Sequence, residues 1–195
     1  MRVCLVVLGF VTTATLARAQ GAPGFRVGLE GGADFPIENQ SDVYKTGWNA
    51  GILFPINFGD SPFGIRIDGA YHRMDTKDLM FFVPGSGKVE IINGTFDFTL
   101  GPRHGSVQPY FLGGVGVYDM KFHGEDVFAN PFSERSTRFG WNAGGGIAFA
   151  LGTTTRFFVE ARYTSVSIDT DRFSNSIHTG GSRFTFIPLS AGFVF

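Results

Sequence analysis

Cysteine is almost missing from this chain. Cys4 is the single thiol among 195 residues, and it falls in the N-terminal apolar segment. That rules out a disulfide scaffold and a cysteine-ligated metal centre. A basic stripe is missing too. Lys and Arg number 16 against 17 Asp and Glu, a formal net charge of -1. Nucleic acid is therefore not expected as a partner, because phosphate binding requires clustered cations. Past the N-terminus no apolar run approaches the roughly 20 residues that a membrane-spanning helix needs. Helical periodicity is also lacking, and Leu and Ala are sparse. Either the protein is soluble, or it crosses a membrane as strands.

The N-terminus has the order of an export signal. Arg2 supplies a positive start, Val3 to Val11 is apolar, and Ala17-Arg18-Ala19 places small residues where a signal peptidase reads. Cleavage is expected after Ala19, so residues 1–19 are a signal peptide and residues 20–195 form one domain. No lipobox spacing surrounds Cys4. Without Arg2 and Arg18 the mature chain keeps 14 basic side chains against 17 acidic ones.

What the chain has in quantity is glycine, 28 residues, and phenylalanine, 23 residues. Both fall into a period of two. Phe25, Val27, Leu29, Ala33 and Phe35 alternate with Arg26, Gly28, Glu30, Gly32 and Asp34. Seven further segments repeat the pattern, beginning near Trp48, Phe63, Ile92, Val107, Phe139, Phe157 and Ile187. The links between them alternate strictly in length. Those at 36–46, 74–87, 119–137 and 168–181 are long, and those at 57–62, 101–106 and 152–155 are short. Long outer loops and tight inner turns on an even number of strands fit an all-β, eight-stranded antiparallel up-and-down transmembrane barrel. A soluble barrel such as a lipocalin has the same period with opposite faces. Here the polar face is mostly Gly, Asn and Thr. Glycine weakens a solvated strand, whereas in a narrow lumen it leaves room for larger neighbours.

On this reading the inward charges are Arg26, Glu30, Arg66, Asp68, Asp97, Glu160 and Arg162. They are expected to pair and fill the lumen, with Arg66 meeting Glu160 and Asp68 meeting Arg162 across the barrel. Filling of that kind disfavours a wide channel, and a small pore remains the alternative. The only two tryptophans share one pentapeptide, Gly47-Trp48-Asn49-Ala50-Gly51 and Gly140-Trp141-Asn142-Ala143-Gly144. Trp48 and Trp141 are expected on the lipid side near the outer rim, where an apolar ring with a polar N–H is favoured. Asn49 and Asn142 then face the lumen. Internal duplication and a local solution reached twice both account for the repeat.

The end of the chain carries a resemblance. Phe195 is preceded at every second position by Phe193, Ala191, Leu189 and Ile187. With Val107-Gln108-Pro109-Tyr110, Gly113-Gly114-Val115-Gly116 and Val159-Glu160-Ala161-Arg162-Tyr163, this resembles the small OmpA/OmpX-like outer-membrane β-barrel domain family. The resemblance covers essentially the whole mature chain. It implies residence in the cell outer membrane among lipid and lipopolysaccharide, as a monomer. It also implies that Phe193 and Phe195 are a signal read by the barrel-assembly machinery. The peptidoglycan-binding module of full OmpA-type proteins is expected to be absent.

No reaction is assigned. Lipid A deacylases share this kind of barrel and resemble a His-x-Ser pair with a Glu near the outer rim. His104-Gly105-Ser106 has the spacing but falls in a short turn at the opposite end. His72, His123 and His178 read as solvated rim or loop histidines. Asp169 and Asp171 are too few carboxylates for a calcium site, and Gly113 to Gly116 is followed by no helix that would make a phosphate loop. The expectation is a barrel with a structural or surface-interaction role, without cofactor or metal.

Overall fold

The computed structural model describes residues 26–77, 87–125, 131–167 and 183–195. The signal segment, His178, and Asp169 with Asp171 lie outside the described residues. Eight strands close into one antiparallel barrel in chain order. They are β1 (Gly28–Pro36), β2 (Gly47–Asn57), β3 (Phe63–Asp75), β4 (Lys88–Leu100), β5 (Val107–Glu125), β6 (Pro131–Leu151), β7 (Thr155–Ser167) and β8 (Arg183–Val194). Closure occurs between β1 and β8, with Leu29 opposite Phe193 and Ala33 opposite Leu189. Every backbone ladder then has a partner, the condition a sheet must meet in hydrocarbon.

Alternation decides the faces. Leu29, Ile52, Ile67, Phe96, Phe98, Phe111, Val115, Phe139, Leu189 and Phe193 are all exposed large apolar side chains on the outside. Asn49, Arg66, Asp68, Thr95, Asp97, Asn142, Glu160 and Ser190 are buried polar ones on the inside. This inverts the arrangement of a soluble barrel and matches a lipid-facing wall.

The repeated pentapeptides do the same job twice. Trp48 on β2 packs on Tyr71 of β3, and Trp141 on β6 packs on Tyr163 of β7, each with ring centroids 5.3 Å apart. One step along, Asn49 donates to Asp34 and Asn142 donates to Asp97, each at 2.8 Å. Each copy therefore sets an outward aromatic pair beside an inward amide on a carboxylate.

Three features differ from the sequence reading. The link at 119–137 is mostly strand, because β5 and β6 run on to Glu125 and Pro131. At about 3.3 Å per residue, strands of 19 and 21 residues far exceed the roughly 9–11 that span a bilayer, so this hairpin projects beyond the membrane. The first long link carries a single helical turn, α1 (Gln40–Val43). It lies across the outer ends of β8 and β3, where Gln40 donates to the Arg183 carbonyl and Lys77 N–H donates to the Val43 carbonyl.

The third difference is inside. At the outer end the lumen is plugged by apolar side chains: Met74, Val89, Ile91, Tyr118, Met120, Val166, Phe184 and Phe186, all nearly inaccessible. Tyr44 from the first link packs edge-on against Phe184 at 5.5 Å. The alternation does signal this plug, because Val89 and Ile91 share phase with Asn93 and Thr95, and Phe184 and Phe186 share phase with Ser190. Beyond the bilayer the outer wall meets water and the inner face becomes an ordinary protein core.

Candidate functional site

Below the plug the lumen is filled by charge. β3 supplies Arg66 and Asp68, and β7 supplies Glu160 and Arg162. Residues two apart on one strand share a face, so each strand presents a cation beside an anion, in opposite order. Arg66 grips Glu160 with two parallel bonds of 2.8 Å, the bidentate geometry in which a guanidinium holds a carboxylate most firmly. Arg162 Nη2 lies 2.6 Å from Asp68. Within each strand Arg66 Nε reaches Asp68 at 3.1 Å, and Arg162 Nε contacts Glu160. The four form a closed ring of ion pairs across the barrel.

Neighbouring strands feed this ring. Tyr110 of β5 donates to Glu160 at 2.7 Å. Asp97 lies 3.5 Å from Arg162 and accepts from Asn142 at 2.8 Å and from Thr95 at 2.9 Å. Glu30 is the loosest member, with Oε2 at 4.0 Å from Arg162 and no hydrogen bond. The lumenal glycines make this possible: a Cβ on Gly114 would stand 2.3 Å from the Asp97 carboxylate.

Arg26 does not join the ring. It precedes β1, at the short-turn end of the barrel, and makes one long contact of 3.5 Å to the Thr154 carbonyl. Alternation places it inward, but it lies beyond the depth at which the carboxylates converge.

A second network lies between the ring and the plug. His72 is buried, not solvated at the rim. Its Nδ1 lies 3.0 Å from Asp34 and its Nε2 lies 3.2 Å from Asn93 Oδ1. Asn49 bonds Asp34, and Ser190 donates to Asn49 at 3.0 Å. Ser190 is thus directed to an amide and not to the imidazole. The Asp–His pair carries no hydroxyl on its second nitrogen, which a nucleophilic triad needs. His104, in the turn at the short-loop end, is exposed and lies 3.4 Å from Asp60. Among the described residues, no group of three or more His, Cys, Asp and Glu is placed to hold a metal ion.

On the outer wall above the aromatic pairs the surface turns polar. Glu90 accepts from Lys88 at 2.9 Å and Tyr71 at 3.0 Å, and lies 3.0 Å from His123 Nε2. The Lys88 bond, with those from Tyr71 and His123, holds the Glu90 carboxyl down at about 2. On the projecting hairpin Arg135 bonds Asp119, and that bond lowers the Asp119 carboxyl below its usual range. His123, read from the sequence as solvated, is half-buried in this outward cluster.

Comparison with known proteins agrees with this architecture. The family profile "Outer membrane protein beta-barrel domain" matches residues 3–195. No curated protein sequence matches the chain. Among solved structures, Neisserial surface protein A superposes with a TM-score of 0.58 at 15% identity, covering 90% of this chain and 98% of that one. Ail, the attachment invasion locus protein of Yersinia pestis, solved with the heparin analogue sucrose octasulfate, gives 0.55 at 16% identity over 88% and 97%. A major outer membrane protein of Thermus thermophilus gives 0.54 at 13% over 88% and 98%. These likenesses carry the fold alone.

An inverted eight-stranded barrel with an aromatic girdle and a charge-filled lumen defines an outer-membrane barrel protein. The chain belongs to the outer membrane protein β-barrel domain family.

Proposed function

We propose that the protein is a non-conducting barrel of the outer membrane that presents its long external loops and projecting β5–β6 hairpin for surface interaction. The observation that carries this reading is double closure of the lumen. A ring of ion pairs fills its middle, with Glu160 and Asp68 almost wholly buried, and an apolar plug fills its outer end. With the middle and the outer end of the interior filled by its own side chains, as small barrels of this strand number tend to be, no continuous path crosses the barrel and its external surface is left to act.

The polar collar above Trp48 and Trp141 supports a place for lipopolysaccharide. Arg73, Lys88, Lys121 and Arg135 lie on outward-facing positions of β3 to β6 at the outer ends of those strands, within reach of anionic headgroups. Neisserial surface protein A and Ail, by their names, act at cell surfaces and in attachment, which favours the same class of role here.

Two measurements test it. Purified protein in planar bilayers is expected to give no single-channel steps, and regular conductance would establish the pore instead. Whole cells carrying deletions of each external loop in turn are expected to lose surface binding with at least one deletion. Full retention across all deletions overturns the interaction role, and acyl release from lipid A would replace it with an enzyme.

A further inference from the structure

The inner half of the lumen, open at the short-turn end, is not filled. A cavity of about 80 Å³, open toward the short turns, lies beneath Arg66 and Tyr110. Its walls are mainly apolar, with Leu53, Phe158 and Val194 facing in from β2, β7 and β8. Its mouth carries three arginines, Arg26, Arg103 and Arg156. Arg26 and Arg103 both raise the positive potential at Arg156. Among the described residues, no carboxylate lies within ion-pair distance of any of the three. The acid that the short turns offer, Asp60, is exposed and faces His104. This contrasts with the ring above, where both arginines contact acids.

Arg103 is held in place rather than free in solvent. Its Nε donates to the Ser61 carbonyl at 3.0 Å and its Nη2 to the Pro62 carbonyl at 3.3 Å. Its guanidinium folds back over Gly64, where a Cβ would stand 2.5 Å from Nη2. Three like charges converging without acids are mutually unfavourable, and an apolar well behind them is poorly hydrated. One class of molecule relieves both, an anion with an apolar body.

We propose that the periplasmic half of the lumen is a binding site for a small amphipathic anion, a carboxylate or phosphate monoester on a short apolar body. The acidic group lies among Arg26, Arg103 and Arg156, and the body lies against Leu53, Phe158 and Val194. The ring of ion pairs forms its floor, so the ligand enters and leaves on the periplasmic side. The site is independent of the external loops, and its failure leaves the surface role untouched.

The test uses the mature protein in phosphocholine nanodiscs, titrated with sodium hexanoate and read from the arginine Nε–H signals in two-dimensional NMR. Empty nanodiscs correct for partition into lipid. Hexanoate is expected to shift the Arg103 and Arg156 signals saturably, with hexylammonium giving no such shift and inorganic phosphate binding more weakly. Hexyl phosphate against hexanoate separates the two head groups. Joint substitution Arg26→Gln and Arg156→Gln is expected to weaken hexanoate at least tenfold, and the matching Lys pair to recover most of it. Should the Gln pair fail to fold, Phe158→Leu and Val194→Ala report on the body of the site. Equal binding of hexanoate and hexylammonium, or unchanged affinity in the Gln pair, overturns the proposal. So does phosphate binding as tightly as hexanoate, which would leave an anion patch without an apolar well.

Discussion

Glu160 accepts from Arg66, Arg162 and Tyr110 at once, which changes what its substitution does. Removing one partner of a buried ion pair typically costs about 3–5 kcal/mol, because the other charge is stranded. Glu160→Gln strands part of two arginines, so a loss of about 3 kcal/mol or more is expected in urea unfolding of the refolded barrel. Viewed as an isolated pair, Arg66→Glu with Glu160→Arg would restore the loss. The ring forbids that. A glutamate at 66 would sit beside Asp68, and an arginine at 160 beside Arg162, so each reversal repairs the cross-barrel contact and spoils the one along its own strand. The double variant is expected to recover less than half of the loss, while positions 66 and 160 still show coupling well above zero in a double-mutant cycle. Full recovery would mean that the contacts along the strands carry little.

The outer ends of β3, β4 and β5 meet at Glu90, and there pH becomes a variable. Its carboxyl, held at about 2 by Lys88 first and then Tyr71 and His123, lies below the unfolded value of about 4.3. A depressed folded value means stability that is fully present above the unfolded value and lost as pH falls through the folded one. The difference in unfolding midpoint between wild type and Glu90→Gln is therefore expected to shrink as pH falls below about 5 and to vanish near pH 2. A difference that is flat across that whole range would show that the cluster does not bind the carboxylate preferentially. The contribution is modest, since the group is partly solvated and salt screens it.

For the molecule as a whole, a closed ladder and a lipid-facing wall predict recovery from urea into detergent as a β-rich monomer. Such a monomer should migrate differently before and after boiling. Phe195 separates stability from delivery. Its amide donates to the Val27 carbonyl at 2.8 Å, while the residue as a whole is 57% exposed. Deleting it forfeits little packing, yet it ends the alternation whose resemblance to an assembly signal is described above. The truncated protein is expected to refold with nearly the wild-type midpoint and to reach the outer membrane of cells at a severalfold lower level. Equal surface levels would remove the signal role from Phe195.

The barrel, its strand number, its inside and outside, and the inward phase of Glu30, Arg66, Asp68, Asp97, Glu160 and Arg162 were all legible in the chain. A strand has a period of two and a membrane tolerates only one polar face, so local order suffices. Arg66 opposite Glu160 was legible for the same reason, since strands three and seven of eight face each other. Tertiary structure alone decided the rest. Alternation gives a side chain its face but not its depth or its company. Arg26 therefore falls at the mouth while Arg66 joins the ring, and His72 meets Asp34 from two strands away in the sheet. Depth also decides what an apolar side chain in lumenal phase means. Phe184 and Phe186 close the outer end, while Phe158 lines a well, because the first two extend past the membrane into a covered core and the third lies below a floor of ion pairs.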